Sequence, residues 1–66
     1  MCEANAYVLH DGTEELLLES VDKVFPHETE IYLENIFGQR KILAARIKEL
    51  RLVDHAIILE RIGSSL

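Results

Sequence analysis

Cys2 is the only cysteine in the chain and lies one peptide bond from the α-amine. A thiolate, a backbone nitrogen and an amine held that close together make a compact set of metal donors. The other ligand-bearing candidates are His10, His27 and His55. Each falls at a predicted turn, and no two share a short metal-ligand spacing, so each reads as a solvated turn residue. His55 stands apart because a hairpin tip there could approach the N-terminus. As a nucleophile Cys2 is unsupported, since nothing places a histidine base beside it. No Gly-x-Ser-x-Gly elbow occurs, and Gly12, Gly38 and Gly63 are scattered singly, which excludes a phosphate-cradling loop. The carboxylates alternate outward along predicted strands as a solvated face does. The pattern points to a binding protein rather than an enzyme.

The elements that must position these residues read as strands. Ala4 to Leu9 is an opening strand, with an aromatic and β-branched cluster suited to a half-buried pleated surface. Asp11-Gly12 between apolar runs predicts a tight hairpin, because both residues tolerate positive φ. Glu14 to Ser20 follows, with Leu16 and Leu18 expected inward and Glu15 and Glu19 outward. Leu17 breaks the alternation and is a candidate for a dimer face. Val21 to Phe25 is a third short strand or a bent extension of the second, and Pro26 ends it. Glu30 to Phe37 is the clearest strand, placing Ile31, Leu33 and Phe37 on one face and Tyr32, Glu34 and Ile36 on the other. Gly38 marks a turn into a return strand over Gln39 to Ala44.

The stretch Lys41 to Leu50 has apolar residues at helical spacing, Leu43, Ile47 and Leu50. It lacks an N-cap and a C-terminal glycine, and strands flank it, so it reads as strand, bend, strand. Asp54-His55 then turns a second hairpin between Leu50 to Val53 and Ala56 to Glu60. The expected architecture is all-β: a small barrel of six to seven short antiparallel strands over residues 1–62, closed or nearly closed, with 63–66 a flexible tail.

Sixty-six residues make one domain whose core alone is marginal, while 48% apolar content exceeds what so small a core needs. The surplus is most cheaply buried against a second copy, which predicts a two-fold homodimer. Glu3 and Asn5 interrupt the place of a signal-peptide apolar region, and no apolar run is long enough to span a bilayer. With its single reduced cysteine, the chain is expected in the cytoplasm. Charge is uneven: residues 1–36 carry nine acids against Lys23, and residues 37–66 carry six bases against Glu49, Asp54 and Glu60. If the two halves interleave in one sheet, many of these charges become cross-strand neighbours.

Met1-Cys2-Glu3-Ala4, then Tyr7-Val8-Leu9, an acidic second strand, Asn35-Ile36-Phe37-Gly38 and the Leu52-Val53-Asp54-His55 hairpin together resemble the CooT family. These are small nickel-binding proteins associated with maturation of the nickel carbon monoxide dehydrogenase, and proteins of the group have also been labelled RNA-binding on fold similarity. The resemblance implies an SH3-like β-barrel and a homodimer holding one Ni(II) between the chains through the cysteine at position two. Only Cys2 of this sequence matches that site. It also implies a nickel-enzyme client or accessory partner.

The chemistry agrees with that implication. Ni(II) favours square-planar nitrogen and thiolate donors. Two copies of Cys2, each chelating through its thiolate and its own nitrogen, supply a set of four. If Met1 is removed, the nitrogen is the Cys2 amine; if it stays, the Cys2 amide must lose its proton. The rival reading is a small-barrel RNA-binding module using Arg40, Lys41, Arg46, Lys48 and Arg51. The net charge of −5 opposes it, and so does an expectation that at least two of Tyr7, Phe25, Tyr32 and Phe37 are buried.

Overall fold

The structure, a computed structural model, describes residues 4–62. Six strands follow in chain order: β1 (Ala4–His10), β2 (Thr13–Pro26), β3 (Ile31–Asn35), β4 (Arg40–Leu43), β5 (Ala45–Arg51) and β6 (Ala56–Arg61). They form one sheet in the order β4-β3-β2-β1-β6-β5, curled into a half-barrel around the core. The all-β small barrel expected from the turn spacing is the fold found.

The first hairpin forms as its dipeptide dictates. Asp11 and Gly12 both have positive φ, 52° and 79°, between the paired residues His10 and Thr13. Two positive φ angles match the twist of the strands they join. Val21 to Pro26 proves to be the bent extension of the second strand, making β2 fourteen residues long. Its bend has a local cause. Ala6 pairs with Leu18 while Tyr7 pairs with Leu16, so Leu17 is an extra residue in a bulge, and a second irregularity lies between Ala6 and Ala4. Ser20 sits there at φ 55°, with its N–H donated to Asn5 Oδ1 at 3.0 Å.

The bulge resets the alternation of β2, which corrects the expected faces. Leu18 is buried, Leu17 packs partly buried against the core, and Leu16 is 56% exposed rather than inward. Phe37 is likewise displaced from its expected face. Strand β3 stops at Asn35, which takes the third buried position after Ile31 and Leu33, and Phe37 lies 67% exposed in the turn beyond. Phe25 and Tyr32 are also exposed, so of the four aromatic residues only Tyr7 is even partly buried.

The main core joins Ala6, Leu18, Val21, Ile31, Leu33, Ala45, Ile57 and Leu59. Lys41 to Leu50 is strand, bend, strand as expected: Ala44 separates β4 from β5, and its carbonyl accepts the N–H of Ile62 at 3.0 Å. One ladder departs from the antiparallel expectation. β6 pairs with β1 in parallel, Asn5 opposite Ala56 through Val8 opposite Leu59. A parallel pair needs a long connection, and the path through β2 to β5 supplies it. Ala56 to Leu59 are consecutively buried, so β6 is covered on both faces. On the face away from the main core, Ile58 lies between Tyr7 and Glu49. There Arg51 on β5 donates to Glu14 on β2 at 2.8 and 3.3 Å, spanning the two strands between them, and to Glu49 at 3.2 Å.

Candidate functional site

The N-terminal strand lies in the middle of the sheet, and its start is pinned on both sides. Ala4 pairs with Val21, which pairs in turn with Asn35. On the other side the N–H of Asn5 donates to the carbonyl of His55 at 2.8 Å. Cys2 and the α-amine lie outside the described residues.

The β5–β6 turn is thereby brought to the start of β1. His55, at φ 53°, closes that turn with its N–H on the Leu52 carbonyl at 3.3 Å. A groove of about 250 Å³ lies there, lined by Ala4, Leu50, Arg51, Leu52, His55, Ala56 and Ile57. Approach of His55 to the N-terminal strand, which the sequence left open, is thus a feature of the fold. The other histidines lie elsewhere. His10 ends β1 beside Asp11 at 3.6 Å, and His27 packs tilted on Tyr32 with centroids 4.7 Å apart. Among the described residues no three His, Cys, Asp or Glu side chains come together as a metal cluster.

Apolar surface gathers in the two loops tied to this region. Leu52 and Val53 are 77% and 92% exposed, and Ile36 and Phe37 are exposed in the β3–β4 turn. The N–H of Ile36 donates to the Ser20 carbonyl at 3.0 Å, and Ser20 is itself held by Asn5. Asn35 makes that turn rigid. Its buried Oδ1 accepts the N–H groups of Phe37 and Gln39 at 3.0 and 2.8 Å, and its Nδ2 donates to Gln39 Oε1 at 2.7 Å. The sequence reading assigned Asn35 no role. The available signal was an asparagine three residues before a turn glycine, a position where the side chain bonds the backbone ahead of it.

The basic residues do not form one stripe. Arg40 and Lys41 lie on β4, at one edge of the sheet, while Arg46, Lys48 and Arg51 lie on β5, at the other. Arg40 approaches Glu34 at 3.8 Å and Arg46 approaches Glu60 at 3.4 Å, both cross-strand partners. Arg40–Glu34 and Arg51–Glu14 join the acidic and basic halves of the chain, while Arg46–Glu60 lies within the basic half. Hydrogen bonds to Glu49 and then Glu14 raise the pKa of the exposed Arg51 above its ordinary value. The same Arg51 contact lowers that of Glu49.

A family model described as CO dehydrogenase accessory protein CooT matches residues 1–60. The chain belongs to the CooT family. By that description, CooT is an accessory protein of that enzyme. A crystal structure of a provisionally assigned CooT from Carboxydothermus hydrogenoformans is similar at 56% identity, with a TM-score of 0.86 over 94% of this chain and 100% of that one. Among curated proteins, no sequence matches at a significant level. Among the described residues of this CooT-family chain, no helix is long and apolar enough to cross a membrane.

Proposed function

We propose that this CooT-family chain is a nickel-binding accessory protein of the cytoplasm. It acts as a homodimer that holds one Ni(II) between the Cys2 residues of two copies and serves a carbon monoxide dehydrogenase or another nickel enzyme. The observation that carries this reading is the setting of the β1 start. It is fixed by backbone bonds, and the exposed apolar residues Leu52 and Val53 on one side and Ile36 and Phe37 on the other lie in loops tied to it. A second copy covering those loops buries the surplus apolar surface and draws the two N-termini together. Cys2 precedes Ala4 by two residues, a chain reach of at most about 7 Å between their Cα atoms.

The donor chemistry fits the metal. A thiolate with an adjacent nitrogen from each copy completes a four-donor set suited to Ni(II) without any other residue. Bound nickel is cargo for a client enzyme, and this chain's part is to hold its thiol and nitrogen donors deprotonated and paired. The three histidines are too dispersed to replace Cys2.

Titration with Ni(II), followed by calorimetry and near-ultraviolet absorbance, tests the reading. One metal per two chains and a thiolate charge-transfer band are expected, with affinity rising from pH 6 to pH 8 as the donors lose protons. Cys2→Ser abolishes the band and most of the affinity while leaving the circular dichroism unchanged. His10→Ala, His27→Ala and His55→Ala each leave most of both. Unchanged binding by Cys2→Ser, with the same spectrum, refutes the site.

A further inference from the structure

The β4 edge and the face beside it have no part in the site proposed above. Among the described residues β4 pairs only with β3, so its outer backbone groups are free to meet another strand. Next to it an exposed apolar row, Phe25–Tyr32–Ile42, crosses β2, β3 and β4 in register. A groove of about 310 Å³ is lined by these three with Leu33, Glu34 and Arg40. Ladder alternation places Arg40 and Ile42 on this face and Lys41 and Leu43 on the other.

We infer that β4 is a docking edge for an extended segment of a partner protein that reads apolar, apolar, acidic, acidic from N- to C-terminus. Such a segment adds antiparallel to β4, as β3 does on the other side, with its four residues opposite Leu43, Ile42, Lys41 and Arg40. Directly opposed side chains in such a pair stand about 5 Å apart. The first acid meets Lys41. The second meets Arg40, which Glu34 holds only loosely at 3.8 Å. The second apolar residue enters the groove beside Ile42 and Tyr32. Main-chain bonds give affinity and alternate side chains give specificity, as in other strand-addition complexes.

The pattern disfavours other occupants. A second copy pairing β4 with itself antiparallel keeps opposed side chains on one face, so it sets Lys41 against its own copy with Arg40 against Ile42, or Ile42 against its own copy with Lys41 against Leu43, with no acid for either base. Charged edges resist self-association for this reason. RNA makes no use of free strand groups, and the chain's net charge of −5 repels it.

The test uses the full chain and a capped hexapeptide, Gly-Val-Phe-Glu-Asp-Gly, beside a control with two lysines in place of the acids. Amide shifts followed by NMR are expected to move at Arg40–Leu43 and Tyr32 with the acidic peptide only. Lys41→Glu weakens binding about 5- to 10-fold through one reversed cross-strand charge pair. Ile42→Thr keeps a β-branched residue in the strand, so it weakens binding while the protein's own spectrum stays dispersed. The inference is overturned if both peptides bind alike or if the shifts map away from β4. It is equally overturned if β4 shifts with protein concentration alone, which marks a second copy, or if oligouridylate displaces the peptide from β4.

Discussion

Asn35→Ala offers the sharpest measure of how this fold holds its loops. Asn35 is 2% exposed and is the one buried polar residue among those described. Its side chain makes three hydrogen bonds within the β3–β4 turn, two of them to backbone N–H groups that no strand partner serves. Truncation removes all three and leaves a small void beside the core. A net hydrogen bond contributes about 1 kcal/mol, and more when a donor is left without a partner. Because Phe37 and Gln39 lie in an exposed turn, water recovers part of the loss, and the expected cost is about 2–4 kcal/mol. For a domain of this size that lowers Tm by about 10–20 °C, a large part of a total stability on the order of 5 kcal/mol. Gln39→Ala removes only the 2.7 Å bond to Asn35 Nδ2 and should cost about 1 kcal/mol. Urea and thermal unfolding of both variants at equal protein concentration, which fixes any contribution from self-association, gives the comparison. If Asn35→Ala is no less stable than Gln39→Ala, the backbone closes the turn unaided and the reasoning fails.

The β2 bulge predicts unequal neighbours: Leu18→Ala should cost about 2–4 kcal/mol and Leu16→Ala under about 1 kcal/mol in the same unfolding assay, whereas unbroken alternation makes them alike. Gly12→Ala should destabilise by about 1–2 kcal/mol through its φ of 79° alone, since an added Cβ meets nothing within 4 Å; calorimetry that finds no change counts against the turn geometry. Arg51→Met should lower Tm more than Arg46→Met, because Arg51 reaches from β5 to Glu14 on β2 whereas Arg46 meets only its cross-strand neighbour Glu60, and the difference should shrink in high salt. Glu49, held below its ordinary pKa by Arg51, adds stability that is present above the normal carboxylate range and is lost as the pH falls through its lowered folded value; Glu49→Gln and the parent should therefore converge in Tm on acidification.

What could be read in the sequence was what depends on local chemistry. Asp11-Gly12 demands positive φ twice, Pro26 ends a ladder, and Lys41 to Leu50 lacks caps, so the first turn, the end of β2 and a bend within Lys41 to Leu50 followed from residue types, while its place at Ala44 did not. The misread faces share one cause. Alternation assigns Leu16 and Phe37 inward only if the strands run unbroken, and a bulge at Leu17 and an early stop at Asn35 each shift the phase by tertiary pairing. The parallel β1–β6 ladder has no local signal at all, since it joins residues 51 apart. As for the candidate site, Cys2 was singled out by donor chemistry alone and lies outside the described residues, and the nearness of His55 to the start of β1 became visible only once β6 was paired.

The position of β1 connects fold to function. A terminus leaving an edge strand would tie any metal site to the least protected ladder of the sheet. Here the terminus leaves a central strand, held by β2 on one side and by β6 on the other. Ala6 and Val8 are buried in that strand, so β1 is fixed by the core. On the proposed reading, Cys2→Ser is therefore expected to remove the metal donors at little cost to the barrel. The apolar loops at Ile36–Phe37 and Leu52–Val53, anchored through Ser20 and His55 to Asn5, are held at a fixed distance from that start.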